Sequence, residues 1–344
     1  MKAETRDVTI RDVAKHAGVS VKTVSRVING EPFVRDATRA RVIHAIDELG
    51  FVVDLAARRL ATGQAYAIGL VFHNASWHYT LDVQRAVLHV AREAGYSTIM
   101  HPCDTGTELD SRDILRMVSQ RVVDGFVFVP PTDNAAALLA RLQELNVPFV
   151  RLTPSERDSA LPYVSATDAR GACDMTLHLL DLGHQRIGFV RGPVEQRAAH
   201  ERFAGYRHAL AAHRVEFDPA LVRYGNDYFA SGCASARELL QGKPPPSAIF
   251  CNNDEMAAGA IAATFEMGLR VPEDVSVAGF DDTALARQIW PPLTTVRQPI
   301  YDMAEIATNL LLALLNGAEI EETAVEIPTE LIVRKSTGAA PGQC

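Results

Sequence analysis

Five polar side chains near the N-terminus have the chemistry needed to bind nucleic acid, and their spacing would place them on one face of a helix. They are Lys22, Thr23, Ser25, Arg26 and Asn29. An arginine can donate a bidentate hydrogen bond to guanine, and hydroxyl, amide and ammonium groups bind phosphate oxygens. We therefore expect this segment to form a DNA-binding surface, the alternative being an ordinary helical hairpin with a polar outer face.

Two short helices joined by a glycine turn would position this surface. Thr9 is a good N-cap for the first helix, and Asp12 three residues later approximates a capping box. Gly18 would make the turn, and Ser20 would cap the second helix. The residues expected to face inward are Ile10, Val13, Ala14 and Ala17 on the first helix and Val21, Val24, Val27 and Ile28 on the second. This pattern is typical of a helix-turn-helix.

A third helix over 36–49 is predicted by one apolar face and ends at Gly50. That face consists of Val42, Ile43, Ile46 and Leu49. Residues 1–53 would then form a three-helix headpiece. Residues 54–64 would form a linker whose Leu, Ala and Arg content favours a short helix, although a flexible tether is the alternative. Because so short a helix is marginal in water, we expect it to form only when something packs against it.

Residues 65–344 alternate between apolar strands and amphipathic helices, which predicts an α/β body of parallel sheets covered by helices. The predicted strands span 67–72, 97–101, 125–129, 148–152, 186–191, 221–224, 248–252 and 275–279. The predicted helices span 80–94, 109–120, 135–145, 169–182, 199–213, 229–240, 254–267 and 303–315. Two consecutive series of this kind indicate two subdomains facing each other across a cleft, with the last helix recrossing between them.

Ligands of parallel sheets bind beyond the carboxyl ends of the strands, so residues that follow predicted strands are candidate contacts. They are His73, Asn74, Pro130 to Thr132, Arg151, Asn253, Asp254, Asp281 and Asp282. The adjacent carboxylates Asp281 and Asp282 could also serve as an acid/base pair, but neighbours on a chain more often point apart.

The charge of the chain is unevenly distributed. Of the 344 residues 47% are hydrophobic, which is enough for more than one domain core. Residues 1–64 hold 11 Lys and Arg against 8 Asp and Glu, whereas the remainder holds 23 against 34. The positive balance therefore lies in the segment that is expected to bind DNA.

Several classes of protein and site are not expected. No apolar run is long enough to span a membrane, and no leader precedes the first helix, so we expect a cytoplasmic protein without a membrane partner. The five cysteines are scattered without a CxxC pair, which predicts neither a metal site nor a disulfide framework. No phosphate-binding glycine motif and no nucleophile–base set stands out, so we expect no catalytic residue and no cofactor.

Five blocks of sequence occur in one order along nearly the whole chain. They are TIRDVAKHAGVSVKTVSRVIN, AARRLATGQAYAIGLV, LGHQRIGFV with ERFAGY, NNDEMAAGA, and VAGFDDTALARQIWPPLTTVRQP. Together they resemble the lactose/galactose repressor (LacI/GalR) family of bacterial transcription regulators. The resemblance implies a helix-turn-helix headpiece, a hinge-helix linker and a two-lobed body like a periplasmic binding protein. It also implies a homodimer that binds palindromic double-stranded operator DNA, one headpiece to each half-site.

The resemblance assigns roles within the DNA-binding segment. Val21, Lys22 and Arg26 occupy positions that contact base edges in the major groove, whereas Thr23, Ser25 and Asn29 would mainly hold phosphates. Thr9 and Ser20, at the two helix N-termini, complete the expected DNA-binding set of the headpiece. In the linker, Leu60 falls on the family's minor-groove wedge, and Ala57 is small where two hinge helices would cross.

The resemblance also implies a small-molecule effector in the cleft, for which we expect a sugar or glycoside. The expected effector-binding residues are His73, Asn74, Arg151, Arg202, Asp227, Tyr228, Asn253, Asp281 and Gln298. Relatives place an aromatic residue at the position of Asp227, so either Tyr228 stacks on the effector or charge binds it there. A purine-type co-repressor is the alternative effector. A solute-binding protein, or a sugar-modifying enzyme with an attached DNA-binding segment, is the alternative class.

Overall fold

The computed structural model describes residues 8–28, 33–51, 62–73, 77–103, 111–129, 136–157 and 160–342. The chain divides into two compact units, Met1–Gln64 and Ala65–Cys344. The predicted linker helix, including Ala57 and Leu60, lies outside the described residues, as do Asn29, Asn74 and Pro130 to Thr132.

The described part of the first unit contains three helices, α1 (Ile10–Ala17), α2 (Val21–Ile28) and α3 (Asp36–Leu49). They pack around one small core, at whose centre Val13, Val24 and Val42 are fully buried. The first and third helices end as expected, because Gly18 and Gly50 adopt the left-handed conformation that glycine tolerates.

Two of the predicted inward-facing residues of this unit are wrong. Val21 is 42% exposed and Ile43 is 47% exposed. Ile43 follows the buried Val42 directly and so lies about 100° around the helix from it, while Ala45 is buried instead. Val21 is the first residue of its helix and stays exposed, although it precedes the buried Val24 by three residues.

The first lobe of the body is built on a parallel sheet. Among the described residues the order of its strands is β11-β5-β4-β3-β1-β2. These strands are β1 (Ala67–His73), β2 (Ser97–Cys103), β3 (Gly125–Phe128), β4 (Phe149–Leu152), β5 (Tyr163–Ala166) and β11 (Ala324–Ile327). The helices of this lobe are α4 (Trp77–Glu93), α5 (Ser111–Ser119), α6 (Ala136–Glu144) and α12 (Ile300–Leu315).

The second lobe repeats this plan. The order of its strands is β12-β10-β9-β8-β6-β7, all parallel except for β12, which pairs antiparallel with β10. They are β6 (Ile187–Arg191), β7 (Val222–Tyr224), β8 (Ala248–Cys251), β9 (Ser276–Asp281), β10 (Thr294–Arg297) and β12 (Glu330–Ile332). The helices are α7 (Asp168–Asp181), α8 (Arg197–Ala212), α9 (Phe229–Leu240), α10 (Asp254–Glu266) and α11 (Ala284–Gln288).

The chain passes between the two lobes after β5, after β10 and after β11. The predicted recrossing helix is present as α12, which packs on α4 and on strands of the first sheet. The predicted α/β class with parallel sheets is confirmed, but five elements were not predicted, namely β5, β10, β11, β12 and α11. No helix of the described ranges is long and apolar enough to cross a membrane.

Aromatic packing in the second lobe fixes the helix that bears the candidate site. The ring of Phe189 in β6 lies 4.8 Å from that of Tyr206 in α8 and 5.2 Å from that of Phe250 in β8. The buried Tyr206 hydroxyl donates a hydrogen bond to the Ile187 carbonyl at 2.8 Å. Because Arg202 precedes Tyr206 by one helical turn, this packing also fixes the position of Arg202.

Candidate functional site

Local hydrogen bonds hold the N-termini of the first two helices. The Thr9 amide and hydroxyl both donate to the Asp12 carboxylate, at 2.9 and 2.7 Å. The Ser20 hydroxyl accepts from the Thr23 amide at 3.1 Å, and the two hydroxyls of this pair lie 2.9 Å apart. The expected N-caps are therefore in place, and Ser20 orients the start of α2.

One face of α2 is available to a partner. Val21 and Lys22 are exposed, while Thr23, Ser25 and Arg26 are partly exposed. The opposite face carries the buried Val24 and Val27. The exposure of Val21 contradicts its predicted inward orientation but agrees with the position that the family resemblance gives it. This face can place an ammonium group, a guanidinium group, hydroxyls and one methyl-bearing side chain against a groove of DNA.

A second set of polar groups converges on Arg202, inside the second lobe. Its Nε donates to Asp168 Oδ1 at 2.8 Å, and its Nη1 donates to the Asn252 carbonyl at 2.5 Å. Its Nη2 lies 3.3 Å from Asp281 Oδ1, which is within ion-pair distance but does not make a hydrogen bond. The guanidinium carbon lies 3.8 Å from the centroid of the Phe280 ring. Arg202, Asp168 and Asp281 are all buried.

The other members of this cluster come from the carboxyl edge of the second sheet. Asn252 follows β8, and its Nδ2 donates to Asp227 Oδ1 at 3.1 Å. Gln298 follows β10, and its Nε2 donates to Asp168 Oδ1 at 3.3 Å. We call the group Asp168, Arg202, Asp227, Asn252, Asp281 and Gln298 the Arg202 cluster. These side chains therefore lie where ligands of parallel sheets are expected to bind.

Three oxygen atoms of the Arg202 cluster have no hydrogen-bond partner among the described residues. They are Asn252 Oδ1, Asp281 Oδ1 and Gln298 Oε1. Each belongs to a side chain that is at least nine-tenths buried. Buried polar atoms are normally paired, so unpaired ones at the edge of a parallel sheet indicate a place for a ligand.

Burial and charge shift the pKa values within the Arg202 cluster. Burial raises the pKa of Asp227 and raises that of Asp281 well above its ordinary value, although Arg202 opposes both shifts. Burial alone would lower the pKa of Arg202, but Asp168 and Asp281 outweigh burial and raise it. The guanidinium therefore stays charged, while the carboxylates are only partly compensated.

Several expected effector contacts are used elsewhere in the protein. Arg151 does not join the Arg202 cluster in the described structure, because its guanidinium donates to the carbonyls of Glu156 and Leu161, each at 2.9 Å. Asn253 caps α10 by accepting from the Met256 amide at 2.9 Å, and it also donates to the Asp227 carbonyl at 3.0 Å.

Tyr228 and His73 have simpler placements. Tyr228 is the N-cap residue of α9 and is partly exposed, and His73 ends β1. Neither position shows an effector contact by itself.

The neighbouring carboxylates Asp254 and Asp282 have structural partners. Asp254 accepts from the Thr283 amide and hydroxyl and from the Thr295 hydroxyl, at 2.8, 3.1 and 2.6 Å. Burial raises the pKa of Asp254 to about 7. Asp282 pairs with Arg297 at 2.9 Å and with Arg334 at 2.5 Å. Asp281 and Asp282 thus point to different partners, as expected for neighbours on a chain.

Three residues of this region were not predicted from the sequence, namely Asp168, Asn252 and Tyr79 of the first lobe. Asp168 follows β5, so the strand-end rule would have found it if that strand had been predicted. Tyr79 of α4 has a raised pKa, first because of burial and also because Asp281 and Asp168 are near its hydroxyl. Next to it, His78 Nδ1 lies 3.0 Å from Glu255 Oε1 of the second lobe. Tyr79 therefore lies on the opposite side of the cleft from the Arg202 cluster.

Metal chemistry has no candidate site in the described part of the chain. No group of three or more His, Cys, Asp or Glu residues is arranged to hold a metal ion there. The described cysteines, which are Cys103, Cys173, Cys233 and Cys251, are free thiols.

Two family profiles match the chain. The one described as "Bacterial regulatory proteins, lacI family" matches residues 9–54, and "Periplasmic binding protein-like domain" matches residues 176–337. Catabolite control protein A of Priestia megaterium is 32% identical over 96% of this chain and 99% of that protein. The ribose operon repressor of Halalkalibacterium halodurans is 34% identical over 96% of this chain and 97% of that protein.

Solved structures agree with these profiles. The lac repressor dimer bound to operator and the anti-inducer ONPF has a TM-score of 0.77 at 31% identity, covering 97% of this chain and 100% of that one. The complex of the transcriptional regulator CelR with cellobiose has a TM-score of 0.73 at 32% identity, covering 96% and 99% of the two chains.

Proposed function

The chain belongs to the lacI family of bacterial regulatory proteins, and we propose that it is a transcriptional repressor controlled by a sugar-like effector in the cleft of its body. Membership of this family makes it a DNA-binding transcription regulator. The observation that carries the effector proposal is the Arg202 cluster, in which a guanidinium, two amides and three carboxylates converge beyond the strand ends.

On the DNA side, the exposed face of α2 binds the major groove of a palindromic operator, and two copies of the chain bind as a homodimer. Val21, Lys22 and Arg26 contact base edges, while Thr23, Ser25 and Asn29 hold phosphates. Ala57 and Leu60 act in the linker, where Leu60 is the minor-groove wedge. The structure of a lac repressor dimer on its operator supports this arrangement.

On the effector side, the cluster offers hydrogen-bond acceptors and donors to a ring that bears hydroxyl groups. Arg202, Asp281 and Gln298 hold the ligand from the second lobe, and Tyr79 closes on it from the first. A similar regulator bound to cellobiose supports a sugar or glycoside. We propose no enzymatic activity and no cofactor for this chain, and we place it in the bacterial cytoplasm, where the DNA is.

Coupling between the two sites makes the protein a switch. An effector that binds across the cleft favours one arrangement of the lobes, and the linker over 54–64 passes this preference to the headpieces. Such coupling is a free energy, so DNA must change the affinity for the effector by the same factor.

Selection of DNA sequences from a random duplex library with the purified full-length chain tests the DNA-binding proposal. We expect a palindrome, and we expect Lys22→Ala and Arg26→Ala each to weaken binding to it about tenfold or more, since a base contact contributes roughly 1–3 kcal/mol. Arg270→Ala is the matched control, because Arg270 is an exposed arginine of the body that pairs with Asp274. Enrichment of no sequence, or equal losses in all three variants, would refute the proposal.

A further inference from the structure

Asp227 is a buried carboxylate without a cationic partner. Asp227 is 6% exposed. No described Lys, Arg or His nitrogen lies within ion-pair distance of its carboxylate oxygens. The side-chain amides of Asn252, whose Nδ2 is 3.1 Å from Asp227 Oδ1, and of Gln196 hydrogen-bond to this carboxylate, but an amide carries no charge. The nitrogens of Arg202 are already occupied by Asp168, the Asn252 carbonyl and Asp281.

The backbone around Asp227 is built to hold that carboxylate in place. Asp227 has a φ of 67°, in the left-handed region that aspartate and asparagine adopt more often than other residues with a Cβ atom. The Asn253 amide secures its carbonyl at 3.0 Å. A Cβ atom on Gly192 would lie 2.3 Å from Asn252 Nδ2 and 3.0 Å from Asp227 Oδ1, so only glycine leaves room for this pair. Strain and close packing of this kind are typical of functional sites.

The unpaired atoms of the Arg202 cluster are all hydrogen-bond acceptors. The amide nitrogens of Asn252 and Gln298 donate to carboxylates, which can only accept when ionised, so their oxygens must face away. Those two oxygens and Asp281 Oδ1, which lies 3.3 Å from Arg202 Nη2, have no hydrogen-bond partner in the described structure. A ligand that satisfies these atoms must bring hydrogen-bond donors.

Charge narrows the choice of donor. The Arg202 cluster contains three carboxylates, from Asp168, Asp227 and Asp281, but only one guanidinium. Burial raises the pKa values of Asp227 and Asp281, as expected where negative charge is under-compensated. A neutral hydroxyl would donate a hydrogen bond but leave this excess, whereas a protonated amine would donate hydrogen bonds and neutralise it.

Resting on the proposed function, we propose that the effector carries a protonated amine on a hydroxyl-bearing ring, as an amino sugar does, and that Asp227 selects it. The amine lies against the Asp227 carboxylate, and the ring hydroxyls donate to the unpaired oxygens of Asn252, Asp281 and Gln298. Asp227 is then the residue that distinguishes a cationic effector from its neutral analogue.

Matched pairs of sugars test this assignment on the full-length protein. The pairs are glucosamine and glucose, galactosamine and galactose, and mannosamine and mannose, measured by thermal shift and then by calorimetry slightly below neutral pH. We expect at least one amine to bind about tenfold or more tightly than its neutral partner, equivalent to about 1.4 kcal/mol. We expect Asp227→Asn, which removes the charge and keeps the shape, to abolish that preference. We expect Asp274→Asn, on a partly exposed carboxylate of the same lobe, to keep it.

Each other outcome overturns the assignment. If a neutral sugar binds as tightly as its amine, the effector is sugar-like but not cationic, and the proposed function stands without this inference. If Asp227→Asn keeps the preference, another group selects the amine. If no amine binds, the assignment fails, and the selected operator decides separately whether the protein is a repressor.

The stability of the ligand-free protein provides a second measurement. Because Asp227 is a buried carboxylate whose charge Arg202 and its amide partners compensate only in part, Asp227→Asn should raise the melting temperature. Asp254→Asn is the matched control, since Asp254 is also buried. Its two carboxylate oxygens accept three hydrogen bonds, and the single amide oxygen of asparagine cannot accept all of them. We expect the melting temperature of Asp254→Asn to fall. An equal fall in both variants would show that Asp227 is a structural residue.

Discussion

Arg202→Met should destabilise the body of the protein far more than the loss of an exposed arginine would. The substitution keeps much of the side-chain volume but removes the donor to Asp168 at 2.8 Å and to the Asn252 carbonyl at 2.5 Å. It also removes the counter-ion 3.3 Å from Asp281. Removing one partner of a buried ion pair costs about 3–5 kcal/mol, because the remaining charge stays buried.

The matched control is Arg170→Met, in the neighbouring helix α7. The Arg170 side chain is 76% exposed, and its Nε lies 2.9 Å from Asp174 Oδ1. An exposed pair contributes about 0–1 kcal/mol. The free energy of unfolding of both variants is measured in urea, with a spectroscopic signal that reports on the body. The difference between Arg202→Met and the wild type should shrink on acidification, because protonation removes the orphaned carboxylate charges. Equal losses in the two variants, or a difference that does not change with pH, would refute this account of the cluster.

Three further predictions concern stability. Burial raises the pKa of Asp254 in the folded protein from 3.8 to about 7, so its stabilising contribution is complete below pH 3.8 and is lost as the pH rises through 7. The free energy of unfolding of the wild type in urea should therefore exceed that of Asp254→Asn by less as the pH rises, with a change of at most about 1.4 kcal/mol per pH unit. A difference that grows with pH would contradict this sign. Gly205→Ala would place its Cβ 2.1 Å from the Ala169 carbonyl, so it should cost roughly 1–3 kcal/mol by separating α7 from α8, and an unchanged unfolding midpoint would count against that contact. Ser20→Ala removes the acceptor of the Thr23 amide and should cost the headpiece about 1 kcal/mol by circular dichroism melting, and no loss would mean that water replaces the cap.

The layout of the body was predictable because its longer elements have clear patterns. The helix Phe229–Leu240 begins and ends where it was predicted, and β1 differs from its prediction only by the addition of His73. The missed strands, such as β5 and β12, have three or four residues and include polar ones, so no apolar run marks them. Strand β12 forms only because β10 lies beside it, and that pairing is not visible in local sequence.

The candidate site was predictable only in part. Asp281 was found from the strand end alone, and Arg202 and Gln298 from the family resemblance. Sequence could not distinguish Asn252 from Asn253, because only the fold shows that Asn253 is the helix cap. Arg151 was expected in the cleft because it is charged near a strand end, and its guanidinium donates to two carbonyls of a loop whose path the sequence does not reveal.

The central claim, that the effector controls DNA binding, is tested most directly by two pairs of affinities. The first pair is the affinity for the selected operator with and without saturating effector. The second pair is the affinity for that effector with and without operator. The account predicts that both affinities change, in the same direction and by the same factor. A protein that binds both ligands but shows identical affinities in each pair of measurements would contradict the claim that the cleft of the body controls the DNA-binding headpiece.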